Sequence, residues 1–270
     1  MPKAEGQPSV TSRDNLAGLA EGAYARKQIF SRCRLVAWSH GSRFSLAARL
    51  VGASAGGRLL DYGCGDGTFL ALVHEQFARA IGTDADVGQL ADCARRFQGL
   101  PNVTFLPPAS LADPSHAGAY DVITCMEVLE HCLEAPRGQV LADLHRLIKP
   151  GGRVIISVPI ETGASLVVKQ VARRIAGWRG VPDYRYSERY TWLELARMTI
   201  GPRHRRIARP VYGGTARGSA HEYHGHKGFD WCALEAEART LFLIDERRYS
   251  PLAIFGPFLN SQAWLICRPR

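Results

Sequence analysis

No C-x-x-C pair occurs in this chain, although it has 7 cysteines among 270 residues. The count is odd, and Cys33, Cys64, Cys93, Cys125, Cys132, Cys232 and Cys267 are scattered. That argues against a disulfide frame and for reduced thiols in a cytoplasmic compartment. No apolar run approaches the roughly 18 residues that a membrane span needs. The opening stretch, MPKAEGQPSVTSRDN, lacks the apolar core of a signal peptide, and residues 1–15 are expected to be disordered. Acid is also scarce: 25 Asp and Glu face 34 Lys and Arg, a formal charge of +9. Hydrophobic residues make up 46% and charged residues 22%, ordinary for a soluble chain that buries a core.

The basic excess is concentrated. Between Lys169 and Arg209 lie eleven Lys and Arg but only Asp183, Glu188 and Glu194 as acids, so 11 − 3 gives +8. Such a patch fits an anionic partner, whether nucleic acid, membrane surface or phosphorylated substrate, or else a solvated basic face.

What is present is an alternation of short apolar runs and helical spacing. Residues 16–55 read as helical. RLLDYG (58–63), RAIGTDAD (79–86), NVTFL (102–106), YDVITCM (120–126) and RVIISVP (153–159) read as strands. Helices are expected over 68–78, 87–97 and 135–148, with a turn at KPGG, 149–152. The pattern predicts an α/β, doubly wound, Rossmann-like parallel sheet covered on both faces. After Pro159 the rhythm breaks into a basic insertion over 160–220 with short helical pieces. It resumes with a helix over 229–241, N-capped by Asp230, and strands at 242–249 and 262–269, giving seven strands in one domain over 16–270.

The glycine turn in LLDYGCGDGTFL decides the cofactor. Gly63 and Gly65 fit a dinucleotide G-x-G-x-x-G, but the third position is Thr68. Asp61 and Asp66 flank the turn and would repel a pyrophosphate on the helix N-terminus. They suit the cationic amino-acid end of S-adenosylmethionine (SAM). Asp84, 21 residues beyond Gly63, is placed to accept both ribose hydroxyls. These features weigh against a nicotinamide oxidoreductase and against a binding protein with a dead cofactor site.

LLDYGCGDG, GTDAD, YDVITCMEVLEH and LIKPGGRVIISVP together resemble the class I SAM-dependent methyltransferases over about residues 57–160. The resemblance implies a SAM site lined by Asp61, Gly63, Cys64, Gly65, Asp84, Ala85, Ser110, Leu111, Met126 and Glu127. Ser110 and Leu111 stand where the family often has an acidic residue near the adenine.

CMEVLEHC, 125–132, packs Glu127, Glu130 and His131 where a buried strand ends. Ionisable groups there are costly unless something binds them. In a helical turn from Val128 they would share one face and could bind a divalent cation such as Mg²⁺ or Mn²⁺. HEYHGHKGFDW, 221–231, offers His221, His224 and His226. The two stretches resemble the small-RNA 2′-O-methyltransferases, and EVLEH is similar to quinone-pathway O-methyltransferases. The resemblance implies Glu127, Glu130, His131 and His226 as metal ligands, with His224 or His221 to accept the proton and His131 as a further catalytic candidate. Glu127, Glu130 and His131 could instead cap the helix or line the acceptor pocket, without a metal.

SLVVKQVARRIAGWRG, 165–180, sets Val167, Val168, Val171, Ile175 and Trp178 on one face. Lys169, Gln170, Arg173 and Arg174 lie on the other. It fits peripheral attachment at the inner membrane surface, or a helix packed on the domain with its arginines exposed. The expected activity is O-methylation of a vicinal diol or catechol-like hydroxyl on a small-molecule, saccharide, phenolic or lipid-linked acceptor. The alternatives are RNA ribose 2′-O-methylation and metal-independent N- or C-methylation of a small molecule. YRYSERYTW and RHRRIAR could stack on and neutralise RNA, but no RNA module is recognisable.

Overall fold

The computed structural model describes Gly22, Tyr24 and residues 34–178, 188–202, 206–216 and 219–270. The expected disorder at 1–15 and nearly all of residues 16–33, the first part of the early helix, lie outside these residues. Residue contacts divide the chain into two compact units, Met1–Ser110 and Leu111–Arg270.

In the first unit, helix α1 (Arg34–Gly52) precedes β1 (Arg58–Tyr62), α2 (Thr68–Val73), β2 (Arg79–Thr83), α3 (Val87–Arg96) and β3 (Val103–Leu106). Strand β2 pairs in parallel with both β1 and β3. Leu59, Leu60, Leu70, Val73 and Ala80 are fully buried and form the core. Two expected elements are shorter than their patterns. Helix α2 gives way to a 3₁₀ turn at His74–Gln76. Strand β2 stops at Thr83, because the Asp86 carboxylate accepts from the Gln89 N–H at 3.0 Å and caps α3.

The second unit runs β4 (Tyr120–Met126), α4 (Glu134–Leu147), β5 (Ile148–Pro159), α5 (Gly163–Trp178), α6 (Trp192–Thr199), β6 (Val211–Ala216), β7 (Ser219–His224), α7 (Trp231–Ala238), β8 (Phe242–Ser250) and β9 (Gln262–Pro269). Strand β5 is parallel to β4, while β9 is antiparallel to β5 and β8. The seven strands follow the order β3-β2-β1-β4-β5-β9-β8, the doubly wound Rossmann-like α/β sheet that the pattern predicts.

Lys149–Gly152 is not a turn before the fifth strand. It lies within β5, where Gly151 has a φ of 77° and the pairing with β4 shifts register between Tyr120 and Val122. The glycines produce an irregularity that the ladder absorbs. The insertion is also more ordered than its composition suggests. It holds α5, α6 and the antiparallel hairpin β6–β7, around a small core of Leu166, Tyr190 and Met198. Helix α5 is reversed relative to a packed amphipathic helix: Val167, Val168, Val171, Ile175 and Trp178 are exposed, whereas Gln170 is buried.

Gly82 sits in the middle of β2 with no room for a side chain. A methyl group there would lie 2.7 Å from Phe105 Cδ1 and 2.8 Å from Leu70 Cδ1. Overpacking of this kind costs about 1–3 kcal/mol. Gly82→Val is therefore expected to lower the thermal midpoint clearly. Gly99→Ala, with nothing within 4 Å of the added carbon, should change it little. Equal midpoints for the two variants would contradict this packing.

Candidate functional site

In the first unit, the chain between β1 and α2 takes left-handed conformations at Gly63, Gly65 and Gly67, with φ of 79°, 54° and 75°. Only glycine adopts these without strain. The Gly63 and Cys64 N–H groups donate to the Thr83 carbonyl at 2.8 and 2.9 Å. The Gly65 N–H donates to Asp84 Oδ2, and the Asp86 N–H to Asp84 Oδ1, both at 2.9 Å. Asp84 is thus held by two backbone donors, and each carboxylate oxygen keeps a further lone pair for a hydroxyl. Asp66 turns toward its own helix, accepting from the Thr68 N–H at 3.1 Å and the Thr68 hydroxyl at 2.6 Å. Burial pushes the Cys64 thiol far up, so it stays protonated. A side chain at Gly65 would meet only Gln89 Oε1 at 4.0 Å. The turn is open there, with a fixed carboxylate beside it, and fits the ribose of SAM.

In the second unit, Glu130, His131 and His226 offer ligand atoms that all lie within 4.8 Å of one another. This is the one such group among the described residues. An ion bonded at about 2.1 Å would need these atoms to draw closer, to about 3 Å between neighbouring coordination positions. Glu130 is fully buried. His131 Nδ1 lies 2.8 Å from the His224 carbonyl, which fixes the proton there and leaves Nε2 as a donor atom. His131 Nε2 is 3.9 Å from Glu130 Oε1. Burial, with help from Lys169, His131 and Arg173, holds the His226 pKa down to about 3 against the opposing pull of Glu161. A neutral imidazole is the form that binds a metal.

The two segments that carry this group are tied backbone to backbone. The His224 N–H donates to the His131 carbonyl at 3.0 Å. Arg209 Nη2 donates to the Gly225 carbonyl at 2.9 Å and to the Glu130 carbonyl. The loop bearing His226 is anchored in turn. The Lys227 N–H donates to Glu188 Oε2 at 2.8 Å, and its ammonium sits 2.8 Å from Glu194. The Gly228 N–H donates to the Tyr190 hydroxyl at 2.9 Å.

Sequence patterns brought out most of these residues but not their arrangement. Residues 127–132 form a non-helical turn, because Glu127 takes a φ of 57° and breaks the helical spacing. Glu127 consequently falls outside the group that Glu130 and His131 form with His226. Its N–H donates to the Ser157 carbonyl at 2.9 Å, beyond the half-buried Met126 at the end of β4. His224 is buried, and its Nδ1 lies 2.8 Å from the Pro210 carbonyl, leaving only Nε2 for proton transfer. The His221 side chain lies outside the described residues. Ala85 is exposed and Ser110 half-buried, while Leu111 is buried and its carbonyl accepts from Arg146 at 2.8 Å.

Glu161 was not foreseen. It lies two residues past β5, fully buried, with Lys169 Nζ at 2.6 Å, Arg173 Nη2 at 2.9 Å and His226 Nδ1 at 4.0 Å. Its signal is the one that marked CMEVLEHC: an acid directly after a buried apolar strand.

Known proteins share this architecture. A methyltransferase-domain family matches residues 34–199. The chain belongs to this family of SAM-dependent methyltransferases. The ubiquinone biosynthesis O-methyltransferase of Cronobacter sakazakii is 36% identical over 119 residues, 43% of this chain and 47% of that protein. That of Escherichia coli O157:H7 is 33% identical over 131 residues, 48% of this chain and 54% of that protein. The methyltransferase thus spans about half the length of these curated relatives. Among solved structures, the PH0226 protein of Pyrococcus horikoshii aligns with a TM-score of 0.55 at 15% identity, covering 86% of this chain and 91% of that one. The N-methyltransferase NodS of Bradyrhizobium japonicum, in complex with S-adenosylhomocysteine, aligns at 0.51 and 12% identity over 97% and 99%. At such identities the likeness shows the fold.

Two outcomes are expected. Asp84→Asn should weaken S-adenosylhomocysteine binding by tenfold or more, since hydrogen bonds to a charged acceptor contribute about 1.5–3 kcal/mol. Titration calorimetry checks this, and unchanged affinity would exclude Asp84 from the cofactor site. The second concerns the Glu161 clamp. Burial alone would raise its pKa, but Lys169 and Arg173 outweigh burial and hold it at about 2, below the ordinary 4.5. The clamp therefore stabilises fully above pH 4.5 and is lost as pH falls toward about 2. Glu161→Gln should cost about 3 kcal/mol at pH 7, and the deficit should shrink in acid denaturation series.

Proposed function

We propose that this methyltransferase moves the methyl group of SAM to an oxygen of a vicinal diol or catechol-like acceptor, with a divalent cation at Glu130, His131 and His226. The observation that carries this is the cluster itself, in which His131 is locked with one nitrogen turned to the His224 carbonyl and the other left to ligate. Two imidazoles with one carboxylate favour Mn²⁺ over Mg²⁺, which prefers an all-oxygen shell. When bound, the cation would supply Lewis-acid chemistry, lowering the pKa of an acceptor hydroxyl. Asp84 and the glycine turn hold the cofactor's ribose, and His224 Nε2 is the candidate to take up the hydroxyl proton. Most of the acceleration then comes from positioning oxygen and methyl in line. The names of the curated relatives, ubiquinone biosynthesis O-methyltransferases, support oxygen as the acceptor atom.

The deciding experiment is Mn²⁺ binding to the purified protein with S-adenosylhomocysteine present. Micromolar affinity is expected, abolished in His226→Ala. Glu130→Ala should keep S-adenosylhomocysteine affinity and lose both Mn²⁺ binding and turnover of catechol test acceptors. Absence of Mn²⁺ binding in the wild type would make Glu130 and His131 pocket or capping residues and favour a metal-free methyl transfer. Acceptance of 3′-terminal RNA ribose in preference to catechols would transfer the same chemistry to the RNA reading.

A further inference from the structure

Helix α5 turns its apolar stripe outward. Val168, Val171, Ile175 and Trp178 follow one another at intervals of three and four residues, and all are exposed, Trp178 at 89%. Two neighbouring elements continue the surface. Ser165 Oγ donates to the Pro257 carbonyl at 2.6 Å, which sets the 3₁₀ segment Ala253–Phe258 beside α5. That segment raises Ile254, 88% exposed, and Phe258, 68% exposed. On α6, Trp192 is 77% exposed and lies 5.6 Å from the Arg174 guanidinium. Exposed apolar side chains gathered on neighbouring elements mark an interaction site.

The chemistry of the patch selects its partner. Its large side chains stand proud of the surface, where a protein partner would have to supply pockets deep enough to take two tryptophans. A bilayer interface accepts protruding Trp, Phe, Ile and Val without shaped complementarity. The electrostatics agree. Neither residues 162–182 nor residues 250–261 contain an acid. Arg174 and Arg197 are exposed at the patch's helices. Lys169 and Arg173 are withdrawn to Glu161 and so do not act as the helix's surface charges.

We propose that α5, the Ala253–Phe258 segment and Trp192 form a docking surface for an anionic lipid bilayer. Contact is made by insertion of apolar side chains, with Arg174 and Arg197 meeting lipid phosphates. Lys169 and Arg173 stay on Glu161, so the same helix faces lipid on one side and the candidate metal site on the other.

The test is co-sedimentation of the full chain with vesicles of phosphatidylcholine alone and of an equal mixture of phosphatidylcholine and phosphatidylglycerol. Partitioning into the mixed vesicles is expected, weakened but not abolished by high salt. Val171→Ser with Trp178→Ser, and separately Ile254→Ser with Phe258→Ser, should each lower the partition coefficient about tenfold or more. S-adenosylhomocysteine binding should stay unchanged in both. The two pairs lie on different elements and involve only exposed side chains, so a folding defect in one leaves the other informative. Wild-type protein that stays in the supernatant would overturn the proposal. So would partition unaltered by either pair, or self-association of the wild type that both pairs abolish. Salt-sensitive binding to single-stranded RNA in place of vesicles would assign the surface to nucleic acid.

Discussion

One buried guanidinium holds the candidate site together. Arg209 donates to the carbonyls of Glu130 and Gly225, which are remote in the chain, and its plane lies 5.0 Å from the Phe229 ring. Burial lowers its pKa to about 10, so it remains a cation at neutral pH. Both bonds leave the one Nη2 nitrogen, whose two N–H groups diverge toward the two carbonyls. The carbonyls it joins belong to the two segments that carry Glu130 with His131 on one side and His226 on the other. Their mutual approach therefore rests on Arg209 and on the paired bonds between His131 and His224.

Glu161 decides how the insertion meets this centre. An unpaired buried carboxylate costs several kcal/mol. The end of β5 places Glu161 inside, so cations must come to it. Lys169 and Arg173 lie four residues apart on the same helical face and supply them together. Satisfying the carboxylate turns α5 about its axis and leaves the valines and Trp178 in solvent. Orientation of the helix thus meets the charge requirement of Glu161 and leaves the apolar stripe in solvent. The same rotation puts Lys169 and Arg173 near His226, where they add to the burial that keeps that imidazole neutral.

Strands and glycine turn were legible because their causes are local. Period-two and continuous apolar runs marked β1 to β5, and 262–269 coincides with β9. Gly63, Gly65 and Gly67 between a strand and a helix marked the candidate cofactor turn, and all three take left-handed conformations. Asp230 caps α7 through the Cys232 N–H, as its position before an apolar run suggested. Less was visible where residues compete over distance. KPGG reads as a turn by composition; it falls within β5, but the pairing with β4 jumps from Ile148 to Arg153 and leaves these four residues out of that register. The hairpin β6–β7 carries glycines and charges that conceal its strands, and only pairing between Val211 and His224 reveals them.

At the candidate site the sequence brought out the ionisable groups, and their tertiary contacts decided which of them meet. Glu127, Glu130, His131 and His226 are all recognisable as ionisable groups at the ends of apolar segments, and so, in hindsight, is Glu161. Residue type and spacing established a Rossmann-like sheet, a SAM-type glycine turn and an acid–histidine stretch after β4. Three-dimensional packing decided that Glu127 leaves the cluster, that His131 presents Nε2, and that α5 shows its apolar side to solvent. The division has a physical cause. Backbone conformation and amphipathic period are set by neighbours within a few residues. The facing of a side chain is set by whichever distant buried charge or carbonyl must be satisfied.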